Sequence, residues 1–253
     1  PRSLSALLDE VATTIRRHDD EVALRRALRT FRRREVLRLA IGGLLSLIDI
    51  KQTGSGLSDI ATATLQGAYD AVRRIDKVEY PPFAIIAMGR YGGRELGFGS
   101  DLDVLYVFEP GDFSNPDLAS RRALSLVHRI VEFTADPRMP IDLDAGLRPE
   151  GKSGPLVRSL SAYRSYYARW SLGWETQALL RAQDVVGDPN VRDRFMDLVD
   201  DVRYGKELSE DGLREVRRIK ARVENECLPQ GADPKRHLKL GRGSLSDVEW
   251  LAQ

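Results

Sequence analysis

Two aspartates one residue apart, Asp101 and Asp103, stand at the head of the apolar run Leu102 to Phe108. On a strand, alternate side chains leave the same face, so the two carboxylates project together from Cα atoms roughly 6.6 Å apart at about 3.3 Å rise per residue. Such a pair suits a divalent cation, and Mg²⁺ in particular is hard, prefers oxygen and takes only one or two protein carboxylates per ion. Just before the pair, Gly89, Gly92, Gly93 and Gly99 allow backbone conformations in which successive N–H groups turn toward a phosphate. Phosphate loop plus carboxylate pair is a layout for moving a nucleotidyl group. In that chemistry two Mg²⁺ ions bridge a triphosphate and an attacking hydroxyl during an in-line displacement. Two ions want two or three carboxylates, and the short alternating segment Pro140 to Asp144 offers a third, with Asp142 and Asp144 on one face and Asp144 as the ligand. The phosphates fall to the glycines and Ser100, with Lys239 a further contact, and Arg90 or Arg148 neutralises the leaving pyrophosphate.

Other chemistries lack their residues. The glycines do not read Gly-x-Gly-x-x-Gly, there is no Gly-Lys-Ser/Thr, and His18, His128 and His237 are too scattered for a metal set. Cys227 is the only cysteine, which excludes an internal disulfide and a cysteine-rich zinc site and is read as an inert thiol.

The elements that must hold these residues follow from periodicity. Phe83 to Phe108 reads as strand, glycine loop and strand after the break at Tyr80-Pro-Pro82. Upstream, Ser5 to about Ile50 is helical and arginine-rich, with Val36, Leu39, Ala40, Gly43, Leu44 and Leu47 on one face. Arg32 to Glu35 read as a solvated helix start that salt-bridges to neighbours. Lys51 to Gly56 reads as a break, with Ser58 capping a helix to Arg74. Downstream of the strand pair, Asn115-Pro116 opens a helix whose apolar positions include Ala123, Leu126, Val127, Ile130 and Val131. A helix is expected from Leu160 through Arg181, its aromatics Tyr163, Tyr166, Tyr167 and Trp170 packing a core and Glu175, Gln177 and Arg181 forming a polar network behind the site. Asp184 to Asp188 reads as a turn, then helices run to Tyr204 and from Ser209 to Glu226, stopped at Leu228-Pro229. Lys235 to Ser244 reads as a basic strand and glycine turn. Ser246 to Glu249 has capping-box spacing, leaving Asp247 and Glu249 open between a structural role and a place in the site.

The 253 residues are 42% hydrophobic, enough for a substantial core, and 39 Lys and Arg nearly balance 38 Asp and Glu. That balance gives no charge argument for nucleic acid or a membrane surface as partner. No run approaches the roughly 18 apolar residues of a membrane span and no signal-peptide core is present at the N-terminus, so a cytoplasmic location is expected.

The stretch Gly89-Arg-Tyr-Gly-Gly-Arg-Glu-Leu-Gly-Phe-Gly-Ser-Asp-Leu-Asp103 resembles the signature of the glutamine synthetase adenylyltransferase family, a branch of the DNA polymerase β-like nucleotidyltransferases. Leu147-Arg-Pro-Glu-Gly151, Trp174 to Ala182, and Lys239, Gly241, Gly243 with Asp247-Val-Glu249 resemble further segments of it. Gly146 departs from it, standing where the family commonly has arginine. The resemblance spans roughly residues 28–253 and implies an α+β fold: a small mixed-sheet nucleotidyltransferase palm with a flanking helical bundle. Residues 1–78 would be a helical lead-in, 79–158 the catalytic domain, and 159–253 a helical bundle that in the family continues further. It implies ATP- and Mg²⁺-dependent transfer of AMP to a tyrosine of glutamine synthetase, in control of nitrogen assimilation, with a PII-type signal protein and glutamine as regulators. The alternatives are the half of such enzymes that removes AMP by phosphorolysis, where serine often replaces Gly99, and a noncatalytic nucleotide-sensing module.

Overall fold

The computed structural model describes residues 1–170, 173–205, 210–226, 228, 231–233, 235–241 and 243–252. Ser209, Cys227 and Pro229, expected as a helix start, an inert thiol and a helix stop, lie outside them. A small mixed sheet forms the centre. Strand β1 (Phe83–Ala87) pairs antiparallel with β2 (Leu102–Phe108), from Phe83 opposite Phe108 to Ala87 opposite Val104. The far edge of β2 receives two short parallel strands, β3 (Leu143–Asp144) and β4 (Val157–Ser159). On the other side of β1 lies β5 (Gln183–Gly187), antiparallel and bulged at Ile85/Ile86.

The period of two sorts the strand side chains into two cores. Phe83, Ile85, Ala87, Val104 and Tyr106 face a cluster shared with helices α1 (Leu4–Arg16), α2 (Glu21–Leu44), α3 (Ile50–Ile75) and α5 (Pro116–Thr134). Ala84, Ile86, Met88, Leu105 and Val107 face a second cluster with α6 (Leu160–Arg169), α7 (Gly173–Leu179) and α8 (Pro189–Tyr204). The one-turn helix α4 (Gly89–Gly92) follows β1, and α9 (Glu210–Glu226) and α10 (Leu245–Ala252) complete the set. Covered on both faces, β1 is buried at every residue, which is why its sequence is apolar throughout instead of alternating. Among the described residues no helix is long and apolar enough to cross a membrane.

Several expectations give way to tertiary contacts. The first helical stretch is two helices, separated at Arg17 to Asp20, and Asp20 caps the second through its carboxylate to the Ala23 N–H. Arg32 to Glu35 therefore sit mid-helix, and Glu35 is buried beneath Arg2, Arg34 and Arg38. Of the expected apolar stripe Leu39 is buried, whereas Leu44, the last residue of α2, and Leu47, beyond it, are exposed. Residues 51–56 are no break: Asp49 and Gln52 close a capping box that starts α3, and Ser58 lies inside it, donating to the Gly54 carbonyl. The glycine there serves close approach, since a Cβ on Gly54 would lie 3.2 Å from the Glu95 Cα.

Asn115 and Pro116 open α5 as expected, with Asn115 Oδ1 accepting from the Asp117 and Leu118 amides. Val131 on that helix faces solvent. The expected Leu160 to Arg181 helix is interrupted after Arg169; its Tyr163 and Tyr167 are core, while Trp170 is 68% exposed. Asp184 to Asp188 is no turn, because the open edge of β1 recruits it as β5. Lys235 to Ser244 shows turns and no strand among its described residues. Ser246 forms no capping box, for its N–H donates to the Lys239 carbonyl and Glu249 pairs elsewhere.

Candidate functional site

Asp103 is the second residue of β2, and the parallel register sets Asp144 of β3 opposite it. The ladder is completed by the Leu102 N–H donating to the Asp142 carbonyl at 2.8 Å, so Asp142 enters through its backbone. Asp101, exposed, ends the loop just before β2. Carboxylate oxygens of Asp101, Asp103 and Asp144 lie within 4.8 Å of one another. Asp144 is aimed by its own turn, Oδ1 accepting from the Gly146 N–H at 2.7 Å. A Cβ on Gly146 would stand 2.9 Å from that oxygen, so this chain's departure at 146 keeps the turn tight.

Three acids this close strain one another. Burial first, then the charges of Asp101 and Asp144, push the Asp103 carboxyl up to about 6, with Lys239 opposing. A buried carboxyl that resists ionisation between two like charges is relieved by a cation, and an all-oxygen donor set of this charge fits Mg²⁺ or Mn²⁺.

The glycines have mixed duties. Gly89 has φ +51°, and a Cβ there would fall 2.2 Å from Asp103 Oδ2, so only glycine lets α4 start against the carboxylate. The expected phosphate nest does not extend to Gly92 and Gly93, whose amides donate within α4 to the Met88 and Gly89 carbonyls at 2.8 and 3.0 Å. Gly92 instead provides clearance: its Cβ would collide with the Arg181 carbonyl at 1.9 Å. Gly99, at φ +79°, shapes the turn in which Ser100 Oγ accepts from the Gly97 N–H at 3.0 Å.

Arg148 has a structural duty. Its Nε, Nη1 and Nη2 donate to the Gly154, Ala145 and Lys152 carbonyls at 3.0, 2.8 and 3.0 Å, so the guanidinium braces the turn after β3. Arg90 has Nε on the Glu95 carbonyl and lines the cleft, as does Lys239.

That cleft, about 1190 Å³, opens beside the carboxylates between Gly89, α7, α9 and α10. Its far wall is one face of α9, carrying Glu215, Arg218, Ile219, Arg222, Val223 and Glu226, with Trp174 and Trp250 beside it. The sequence reading assigned none of these a role, although the 3.6-residue repeat of that face was legible. Arg222 is held by Glu226, and Arg181 by Glu95 and Glu249. Among the described residues Arg90, Arg218 and Lys239 make no ion pair, leaving three cations for an anionic ligand. Of the expected Glu175, Gln177 and Arg181 network, Glu175 is buried and accepts from the Tyr166 hydroxyl at 2.9 Å, Gln177 lines the cleft, and Arg181 clasps α10. Asp247 is structural, pairing with Lys220 and accepting from the Gly243 N–H at 2.6 Å.

The chain matches the family described as glutamate-ammonia ligase adenylyltransferase over residues 1–197, which include the three aspartates. It is 54% identical over 254 residues to the bifunctional glutamine synthetase adenylyltransferase/adenylyl-removing enzyme of Leifsonia xyli subsp. xyli, covering 100% of this chain and 25% of that protein. The enzymes of the same name from Streptomyces coelicolor and Mycobacterium tuberculosis are 46% and 44% identical over 275 and 250 residues, covering 100% and 96% of this chain and 27% and 25% of theirs. The chain thus spans about a quarter of the length of these curated relatives. It belongs to the glutamate-ammonia ligase adenylyltransferase family.

Proposed function

We propose that this chain is a catalytic unit of a glutamine synthetase adenylyltransferase, transferring AMP from ATP to a tyrosine hydroxyl of glutamine synthetase in the control of nitrogen assimilation. The observation that carries the reading is a cluster of three carboxylates, two of which line a cleft where Arg90, Arg218 and Lys239 make no ion pair among the described residues. In this reading residues 79–158, with β5 of the following segment added to their sheet, form the nucleotidyltransferase palm of the polymerase β-like kind, and the helices of 1–78 and 159–253 flank it.

Asp101, Asp103 and Asp144 would hold two Mg²⁺ ions, which when bound neutralise the triphosphate and polarise the α-phosphate. Arg90, Lys239 and the Ser100 hydroxyl hold the phosphates, with Gly89 and Gly99 keeping the backbone close enough. Trp174 and Trp250 give the cleft apolar surface on which a base can rest. The tyrosine oxygen forms a bond to the α-phosphorus as the bond to the α–β bridging oxygen breaks. Pyrophosphate departs with that oxygen, and the phenolic proton passes to Asp144. Removal of AMP by phosphorolysis would use the same groups with phosphate attacking. Gly99 favours addition in this reading, and a PII-type signal protein and glutamine are the regulators to test in the cytoplasm.

The deciding experiment follows label from [α-³²P]ATP into glutamine synthetase, alongside phosphate-dependent release of ADP from the modified enzyme. Asp101→Asn and Asp103→Asn are expected to lose transfer by at least a hundredfold, about 2.7 kcal/mol of transition-state stabilisation. Near-normal transfer by either folded variant would remove the metal assignment. ATP binding without turnover in either direction would select the sensing module.

A further inference from the structure

Strand β3 is only two residues long, Leu143 and Asp144, and parallel pairing is the weaker kind. So short a ladder cannot by itself hold a carboxylate to the tolerance a metal site needs, and its flanks must be fixed from elsewhere. The downstream flank is the turn braced by Arg148 through three carbonyls. The upstream flank, residues 136–142, is gripped by α2 from more than a hundred residues earlier in the chain. Arg33 donates both Nε and Nη2 to the carboxylate of Asp136, the first at 2.7 Å, and Asp136 is 5% exposed. Asp136 Oδ1 also accepts from the Arg138 N–H at 3.0 Å. One residue earlier in α2, Arg32 donates to the Met139 carbonyl through Nη1 and to the Pro140 carbonyl through Nη2 at 3.2 Å. Two residues beyond Pro140, the Asp142 carbonyl receives the Leu102 N–H that sets the register of Asp144 against Asp103.

We infer that Arg32 and Arg33 are positioning residues for the third carboxylate: α2 holds residues 136–140 so that Asp144 meets Asp101 and Asp103. The inference rests on the metal-site reading above. A bidentate grip on a carboxylate and a double grip on adjacent carbonyls suit arginine's fixed fork, and neither is reproduced by an uncharged side chain of similar length. The helical lead-in is thereby part of the site's geometry, although none of its residues lines the cleft.

The test measures Mn²⁺ binding to the full chain in the presence of α,β-methylene-ATP, by isothermal titration, for wild type, Arg32→Gln, Arg33→Gln and Arg129→Gln. Arg129 pairs with Glu21, Asp76 and Glu132, so its variant loosens the same helical layer without touching residues 136–142. Expected is a loss of Mn²⁺ affinity of roughly 10–100-fold in the Arg32 and Arg33 variants, the usual effect of removing an orienting partner of a ligand. Arg129→Gln should stay within twofold of wild type even where its thermal midpoint falls as far. Amide exchange supplies a second reading, with faster exchange at Leu102 in Arg32→Gln and unchanged exchange there in Arg129→Gln. Should Arg33→Gln fail to fold, Arg32→Gln decides, since its partners are two backbone carbonyls and no buried charge is stranded. Wild-type affinity and Leu102 protection in a folded Arg32 variant would overturn the inference. Absence of Mn²⁺ binding by wild type would overturn the metal site itself.

Discussion

Replacing Asp103 by asparagine should make the metal-free protein more stable while removing its activity. The folded-state carboxyl titrates at about 6 against an ordinary 3.8, because burial and two neighbouring carboxylates disfavour its charge. A raised acid pKa means that the folded protein binds more protons than the unfolded chain between those values. Stability therefore falls as pH rises from about 4 through about 6, and the whole loss is present at neutral pH. A difference of about 2 in pKa corresponds to ~3 kcal/mol. Asp103 retains some solvent contact, and screening brings the expected figure to ~1–2 kcal/mol. Asparagine keeps the shape and removes the charge, so with EDTA at pH 7.5 Asp103→Asn should melt roughly 2–8 °C above wild type, at about 2–4 °C per kcal/mol for a chain of this size. The gain should shrink as pH falls from about 6 toward 4 and vanish only below about 3.8, where the wild-type carboxyl is protonated in both states. Millimolar Mg²⁺ should then raise the wild-type midpoint more than the variant's, since a ligand stabilises only the state that binds it. Paired thermal melts at pH 4.5 and 7.5, with EDTA and with Mg²⁺, make the measurement. An asparagine variant no more stable than wild type at pH 7.5 in EDTA would refute the account of three mutually repelling carboxylates.

Two further substitutions probe the glycine loop and the turn after β3. Gly92→Ala drives a methyl into the Arg181 backbone carbonyl, which cannot swing away as a side chain would, so urea unfolding should show a loss of about 1–3 kcal/mol. Arg148→Gln removes the side-chain donors of the Lys152 and Gly154 carbonyls and leaves the Ala145 carbonyl only the backbone N–H of residue 148. It should cost ~1–3 kcal/mol in the same assay, and Arg148→Lys should recover only part of it, for one ammonium cannot span three carbonyls set around a planar fork.

Much of the centre of this protein was legible locally. The apolar run of β1, the glycines at 89 to 99 and the Asp-x-Asp opening of β2 are one-dimensional patterns whose meaning depends on near neighbours. So is the Asn115-Pro116 helix start. Where the reading failed, a distant partner outweighed local preference. Gln183 to Gly187 carries only two apolar residues and looks like a turn, yet β1 offers unpaired backbone groups that it satisfies. Residues 51–56 contain two glycines and look like a break, yet they form the first turns of α3, opened by the Asp49–Gln52 capping box, and Gly54 lets the helix lie close against the backbone of Arg94 and Glu95. Nothing in the chain order reveals that the amides of Gly92 and Gly93 and the guanidinium of Arg148 donate to nearby carbonyls.

By itself, then, the sequence determined which residue types face together along one strand or helix, because side-chain period is a local property of backbone geometry. That was sufficient to place Asp103 on a strand with Asp101 at its head and for the family to be recognisable. Only the tertiary structure decided that Asp144 stands opposite Asp103, that two arginines of α2 grip the segment leading to it, and that a face of α9 walls the cleft. Those relations join residues tens to more than a hundred positions apart, and they arise from strand pairing and hydrogen-bond satisfaction that no local pattern encodes.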